Sequence, residues 1–431
     1  MSILSSLKFR FAVGFTTLSL IGLGSGYLYT KSTTNQLSQQ QNVSLVQQKI
    51  SDLPQQHFQN TAIAQLAPSD STEQQKSTFS KQKSGSAPYK VIDELKKYKF
   101  SVRGNQILSS AKLPNANVNF NQKDLLFVLI NTKKYFQNHS SQDANVLRTG
   151  LLASSGVTVQ DVLKTLDFMI AVLQEDIANN RVTRLQDSNF INQNFRVIKW
   201  SAYNPQNRNQ ERLRLTKYAV FTHPGSRKKT AKFNTPIYSL KDNLSGNKFF
   251  TKYTKQDVLS GIYEPGGKEF GKVEPLAYLT REGLEEALMQ GTILINFNDG
   301  SKAFFNVDRN NEIPFIKGVA PRAQKRYWYF RKVDAIKGYG YKIDAKISIK
   351  PGVTFAGDVL NIGLGKIIVL EYPQGGSKRL KMGIIADTGG AFLPNLYQLD
   401  FLAGIFQNQN GFRQYISQLP EYATAYILVK K

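Results

Sequence analysis

An apolar run ends in a carboxylate and two glycines at residues 384–390, Ile-Ile-Ala-Asp-Thr-Gly-Gly. The run before Asp387 has the composition of a buried strand, and the glycines indicate a turn directly after it. Apolar neighbours raise the pKa of a carboxyl group, which suits a general acid near neutral pH. The same pattern fits a structural aspartate that accepts hydrogen bonds from turn amides, so both interpretations stand at this point.

Helices precede this segment, and short strands surround it. One helix is predicted over 123–138, and a second begins at Thr158, which forms an acidic variant of a capping box with Asp161. From about residue 195 the pattern changes to alternating strands joined by glycine-containing turns. The predicted strands are 196–200, 213–221, 292–297, 303–307, 366–372, 379–386 and 424–429, with hairpin turns at 298–300 and 373–376. This order predicts a mainly β protein with N-terminal helices.

The first thirty residues have the pattern of a secretory signal. Lys8 and Arg10 precede an uncharged run at 11–29, which approaches the ~20 residues that span a bilayer. A cleaved signal, an uncleaved anchor in the cytoplasmic or outer membrane and a buried helix are the three interpretations. A flexible low-complexity linker is predicted over 31–95. We therefore expect an exported protein of the periplasm or cell envelope.

The composition limits the metal sites and the binding partners that this chain can have. The 431 residues contain no cysteine, and the three histidines lie in unrelated contexts, so we expect no metal and no cofactor. The 56 Lys and Arg residues against 31 Asp and Glu give a net charge of +25, which attracts polyanions. Export makes nucleic acid an unsuitable partner and wall polymer a suitable one.

Residues 385–404 resemble the C-terminal signature of the MltA family of membrane-bound lytic murein transglycosylases. That signature is an Asp-x-Gly-Gly-Ala turn, matched here at Asp387, with a second aspartate about a dozen residues on, matched by Asp400; it belongs to the domain named "3D" for three aspartates. Other segments resemble the family in the same order along the chain, namely 216–218, 225–227 with 236–238, 290–292 with 299–301, and 327–331.

The resemblance implies a fold of two β domains with a groove between them. One is a double-psi β-barrel assembled from flanking parts of the chain, and the other is inserted in the middle. The implied limits are a helical lead and first part of the barrel at 96–212, the inserted β domain at 213–315 and the 3D barrel domain at 316–431. A monomer is expected.

The resemblance also implies an activity. The family cleaves the bond between N-acetylmuramic acid and N-acetylglucosamine in peptidoglycan and leaves a 1,6-anhydro end. Asp387 maps onto the general acid/base, and Asp400 is its catalytic companion or a structural loop carboxylate. The implied substrate-binding residues are Tyr218, Gln290, Gly291, Thr292, Thr388, Gly389 and Gly390.

Departures from the family pattern support two other hypotheses. Lys350 occupies the position of the family's first aspartate, where a cation near Asp387 would lower its pKa. The glutamate expected after Tyr218 is absent, since 217–221 reads Lys-Tyr-Ala-Val-Phe, and Phe392 follows the glycine turn where the family often has a lysine. A glycan-binding relative without activity is one alternative. An aspartic peptidase is the other, although no second Asp-Thr-Gly or Asp-Ser-Gly occurs in the chain.

Overall fold

The computed structural model describes residues 87–94, 100–242 and 247–431. The predicted signal or anchor at 1–30 and most of the predicted linker at 31–95 lie outside these residues, although 88–90 form a strand. Each helix in the described ranges is too short or too polar to cross a membrane.

Strands dominate the described part of the chain. They are β1 (Pro88–Lys90), β2 (Ser101–Arg103), β3 (Leu108–Ala111), β4 (Val118–Asn119), β5 (Phe195–Trp200), β6 (Leu213–Gly225), β7 (Thr235–Leu240), β8 (Val273–Leu279), β9 (Thr292–Phe297), β10 (Lys302–Asn310), β11 (Trp328–Val333), β12 (Thr354–Ala356), β13 (Ile367–Gln374), β14 (Ser377–Asp387), β15 (Gln398–Phe406) and β16 (Tyr422–Lys430). The α-helices are α1 (Gly104–Ile107), α2 (Gln122–His139), α3 (Val159–Ala178), α4 (Ser188–Asn194), α5 (Lys255–Leu259), α6 (Arg281–Ala287) and α7 (Gln409–Ile416).

Six strands close into a barrel. The neighbours run β6, β15, β12, β14, β13 and β16, and β16 pairs back onto β6. The β6–β15 and β12–β14 pairs are parallel, whereas the other four are antiparallel. Fully buried apolar side chains fill this core, among them Phe355, Ile384, Phe401 and Ile427. The predicted mainly β fold with a barrel is therefore confirmed.

The helical lead packs on the outside of the barrel. Helices α2 and α3 contact each other, and they also contact β14 and β16 respectively. Helix α3 begins with the predicted capping box: the Asp161 amide donates to the Thr158 hydroxyl, and the Thr158 amide donates to Asp161 Oδ2 at 2.9 Å. The apolar stripe of α3, including Leu166, Met169 and Leu173, is buried between the helix and the barrel, in the same hydrophobic cluster as the strand residues.

A second core follows in the middle of the chain. Strand β6 continues out of the barrel, and its last four residues pair in parallel with β9. Strands β9, β10 and β11 then form an antiparallel extension, while β7 and β8 form a separate two-stranded antiparallel sheet beside it. Strand β11 pairs with β10 and buries Tyr329 and Phe330 in this second core, so residues on both sides of position 315 contribute to it. The domain limits stay predictions.

Candidate active site

The barrel places Asp387 and Asp400 on strands separated by one neighbour. Ala356 of β12 aligns with Asp387 of β14 on one side and with Asp400 of β15 on the other. Asp400 also aligns with Thr216 of β6. Neighbouring strands lie ~4.8 Å apart, so the two aspartates are about 10 Å apart along the sheet at their backbones. Asp400 is thus a strand residue and not a loop residue. Its catalytic or structural role stays a prediction.

The Asp387 carboxyl accepts two hydrogen bonds. The Tyr218 hydroxyl donates to Oδ2 at 2.7 Å, and the Thr388 amide donates to Oδ1 at 2.8 Å. Burial raises the pKa of Asp387 to about 6, while these donors and the Lys346 ammonium oppose that rise. A carboxyl group with this pKa can lose and regain a proton near neutral pH, as an acid/base catalyst requires.

Asp400 is even more strongly shifted toward its neutral form. Burial and the charge of Asp387 raise its pKa to about 7, against the opposing effects of the Thr216 hydroxyl and the Lys217 ammonium. Its Oδ1 atom is buried without a hydrogen-bond partner. An ionised oxygen left in that state is costly, which favours the protonated group near neutral pH.

Tyr218 acts as a hydrogen-bond donor within the site. Burial and the neighbouring Asp387 raise the pKa of its phenol well above the usual value, so the hydroxyl keeps its proton. The pairing between β6 and β15 aligns Tyr218 with Leu402, two residues beyond Asp400. The sequence resemblance implied that Tyr218 contacts a sugar of the substrate. In the structure its hydroxyl donates to Asp387. Stacking of its ring on a sugar stays a prediction.

Residues 290–292 lie at the start of β9, close to the point where β6 leaves the barrel and begins to pair with β9. The Gln290 side chain accepts from the Phe221 amide at 2.9 Å, and the Thr292 hydroxyl accepts from Asn306 Nδ2 at 2.7 Å. Both side chains therefore form hydrogen bonds with other residues of the chain. Gly291 is exposed. Their contacts with sugar stay predictions.

The turn after Asp387 consists of Thr388, which is held by a hydrogen bond, followed by Gly389 and Gly390. The Thr388 hydroxyl donates to the Gly357 carbonyl at 2.8 Å. Gly389 is extended, and a methyl group added at Gly390 would meet no atom within 4 Å. Because no internal packing needs glycine at position 390, the space beside this turn is open.

The cation that faces Asp387 is Lys346, not Lys350. The Lys350 ammonium lies over the Phe127 ring, 5.0 Å from its centroid, so the expected effect of Lys350 on Asp387 was wrong. Lys346 reaches the site because its segment pairs with a neighbouring one: the Ile347 amide donates to Tyr339, and the Tyr339 amide donates to the Ala386 carbonyl, at 2.8 and 2.9 Å. Sequence reasoning missed Lys346, since no local pattern signals this long-range pairing.

Asp358 was also missed, and it fixes the loop that follows Asp387. Its carboxylate accepts from the amides of Leu360, Asn361 and Asn395 and from the Asn361 side chain, at 2.8 to 3.2 Å. Burial raises the pKa of Asp358 to about 6 in spite of these donors. The bond from Asn395 ties the far end of the loop to the barrel.

Two cavities of about 470 and 440 Å³ lie at the β3–β5 edge and beside residues 182–187, and Asp387 lines neither. Within the described ranges, no group of three or more His, Cys, Asp or Glu side chains is arranged to hold a metal ion.

Comparisons with known proteins support the fold. No protein-family model and no curated protein matches the chain. The membrane-bound lytic murein transglycosylase from Agrobacterium tumefaciens matches with 15% identity and a TM-score of 0.51, over 75% of this chain and 98% of that one. MltA of E. coli with bound chitohexaose matches with 16% identity and a TM-score of 0.49, over 75% and 95%. MltA of Neisseria gonorrhoeae matches with 14% identity and a TM-score of 0.46, over 71% and 87%. The chain shares the fold of the Agrobacterium enzyme.

Proposed function

We propose that this protein is a lytic transglycosylase that cleaves peptidoglycan between N-acetylmuramic acid and N-acetylglucosamine, with Asp387 as the general acid/base. The observation that carries the proposal is the Asp387 carboxyl, whose pKa burial raises to about 6 and which Tyr218 holds, in a fold shared with the Agrobacterium enzyme. Such a pKa lets one group serve in both protonation states.

One carboxyl is sufficient for this reaction because the substrate supplies its own nucleophile. Protonated Asp387 gives its proton to the glycosidic oxygen, and the bond from the anomeric carbon to that oxygen breaks. The C6 hydroxyl of the same sugar forms the new bond to the anomeric carbon and returns a proton to Asp387. No water is consumed, and proximity replaces an activated water molecule.

The neighbouring groups support these two steps in different ways. The Tyr218 hydroxyl stabilises the carboxylate after the first proton transfer and fixes its orientation. Asp400, with a pKa of about 7, carries its proton below neutral pH and so does not oppose the negative charge that forms on Asp387 after the first proton transfer. Gly389, Gly390 and Gly291 leave room for a glycan, and Thr388 positions the turn.

The test is digestion of purified peptidoglycan followed by mass spectrometry of the soluble products. Wild-type protein is expected to release anhydro-muropeptides, and Asp387→Asn is expected to release at least a hundredfold less, as loss of a general acid typically costs 10²–10⁴ in rate. Equal release of anhydro-muropeptides by the two proteins would contradict the proposal.

A glycan-binding protein without activity is the second candidate. The side chains of Gln290 and Thr292, which the family resemblance assigns to substrate, make their hydrogen bonds within the protein. Sedimentation with insoluble peptidoglycan, without any anhydro product, would favour this candidate over the enzyme.

A further inference from the structure

Lys346 occupies an unusual position beside the proposed acid. It is half-buried between the barrel and the second core, and its ammonium donates to Asn306 Oδ1 at 2.8 Å. Asn306 is itself buried and is held by the Thr292 hydroxyl at 2.7 Å. The lysine therefore has a fixed place between Asp387 on one core and β10 on the other.

The charge on Lys346 lacks a close counter-ion. Burial lowers its pKa, and only the more distant charges of Asp387 and Asp308 oppose that effect. Asp308 already accepts from Arg331 Nε at 3.0 Å. In the described part of the chain, Lys346 forms no salt bridge. When Asp387 is protonated, as the first step of the reaction requires, the lysine loses the attraction of that carboxylate as well.

We infer that Lys346 and the Asn306 amide that holds it form a subsite for a carboxylate on the sugar next to the scissile bond. This inference rests on the proposed function and names a feature of its substrate. A partly desolvated ammonium gains most from an anion that arrives with the substrate, because the two charges are then paired where water is scarce. Wall glycans offer such a group as the lactyl carboxylate of a muramic acid or as a carboxylate of the attached peptide.

The subsite would distinguish wall glycan from a neutral polymer of the same shape. A neutral sugar leaves the lysine with the Asn306 oxygen as its hydrogen-bond partner. A carboxylate adds a hydrogen bond between charged groups, which corresponds to about tenfold to a hundredfold in affinity.

The experiment is calorimetric binding with Asp387→Asn as the parent protein, since this substitution prevents turnover and mimics the protonated acid. Three muramic-acid tetrasaccharides are compared: the free lactyl acid, its methylamide, and a form whose lactyl group carries an acidic dipeptide. At least one acid is expected to bind about tenfold to a hundredfold more tightly than the methylamide. The acid that does so identifies the source of the carboxylate.

Variants at two lysines separate the subsite from general charge. In the parent protein, Lys346→Gln is expected to abolish the preference, so that acid and methylamide bind alike, while Lys346→Arg retains it. Lys350→Gln is the matched control, because it removes the same charge four residues away, over the Phe127 ring, and should retain the preference.

Three outcomes overturn the inference. Equal affinity of the parent for all three ligands, or a preference that survives Lys346→Gln, excludes the subsite and leaves glycan binding intact. A Lys346→Gln variant that binds neither ligand has lost structure, and Lys346→Arg then decides: a retained preference supports the subsite, and a lost preference overturns it. Failure of the parent to bind any of the ligands contradicts the proposed function itself.

Discussion

Tyr218 donates a hydrogen bond to Asp387, and a pH profile of activity can measure the effect of this bond on the pKa of Asp387. The tyrosine donates to the carboxylate, so it stabilises the ionised form and opposes the rise that burial causes in the pKa of Asp387. The acid role requires the protonated form, and we therefore expect kcat/KM to fall as the pH rises past about 6.

Tyr218→Phe is expected to move this alkaline limb to higher pH, because the carboxylate loses its donor and the pKa of Asp387 rises. The measurement is kcat/KM for peptidoglycan solubilisation between pH 4 and 9, with Tyr415→Phe on α7 as the matched control. An unchanged limb, or one moved to lower pH, would show that the hydroxyl does not act on Asp387.

Removal of the Asp400 charge by substitution is expected to increase the free energy of unfolding, because burial disfavours the ionised carboxyl. Its pKa rises from 3.8 to about 7 on folding, so ionisation in the folded state is unfavourable and stability is lost as the pH climbs between these values. Asp400→Asn should raise the free energy of unfolding by about 1–3 kcal/mol at pH 8. At pH 3, where the carboxyl is protonated in both states, the gain should vanish.

Urea unfolding at the two pH values measures this difference. A variant that is less stable than wild type at pH 8 would mean that the Asp400 carboxylate is stabilised by contacts that outweigh its burial.

The two aspartates also show what the sequence could predict at this scale. Asp387 was found because a strand of apolar residues leads directly into it and glycines follow. The environment of Asp400 was not predictable, since its pKa depends on Thr216 and Lys217, almost two hundred residues earlier in the chain. Lys346 was missed for the same reason.

At the scale of elements, Asp358 links the loop after Asp387 to the barrel. Asp358→Ala would leave four donors without their acceptor, and we expect it to lower the free energy of unfolding by about 2–4 kcal/mol. Urea denaturation at pH 7 measures the loss, and Asp344→Ala, at an exposed site, is the control. A loss no larger than that of the control would mean that the loop is fixed by other contacts.

Elements with strong local signals were predicted, and elements made by long-range pairing were not. The hairpin between β13 and β14 turns on Gly375 and Gly376, whose φ values of 58° and 74° suit glycine, and the sequence indicated it. Strand β12 has three residues, all buried, so it shows no alternation. The parallel pairing of β6 with β15 joins segments far apart in the chain, which periodicity alone does not reveal.

For the whole molecule, the net charge of +25 predicts binding that depends on salt. Attraction between this protein and acidic wall glycan should weaken as ionic strength rises, because the screening length falls from about 10 Å at 0.1 M to about 3 Å at 1 M. Sedimentation with peptidoglycan across this range measures the effect, and chitin serves as the neutral control. Equal salt sensitivity for both polymers would contradict an electrostatic contribution.

Strand β6 belongs to both cores: it pairs with β15 beside Asp400, and farther along it pairs with β9. A flexible connector would let the two halves tilt independently, but a hydrogen-bonded strand transmits twist along its length. Strand β6 pairs with β15 as far as Phe221 and with β9 from Thr222 onward, so no unpaired residue separates its two partners. We therefore expect a rotation of the second half to be transmitted along β6 to Tyr218 and, through its hydrogen bond, to the orientation of the Asp387 carboxyl.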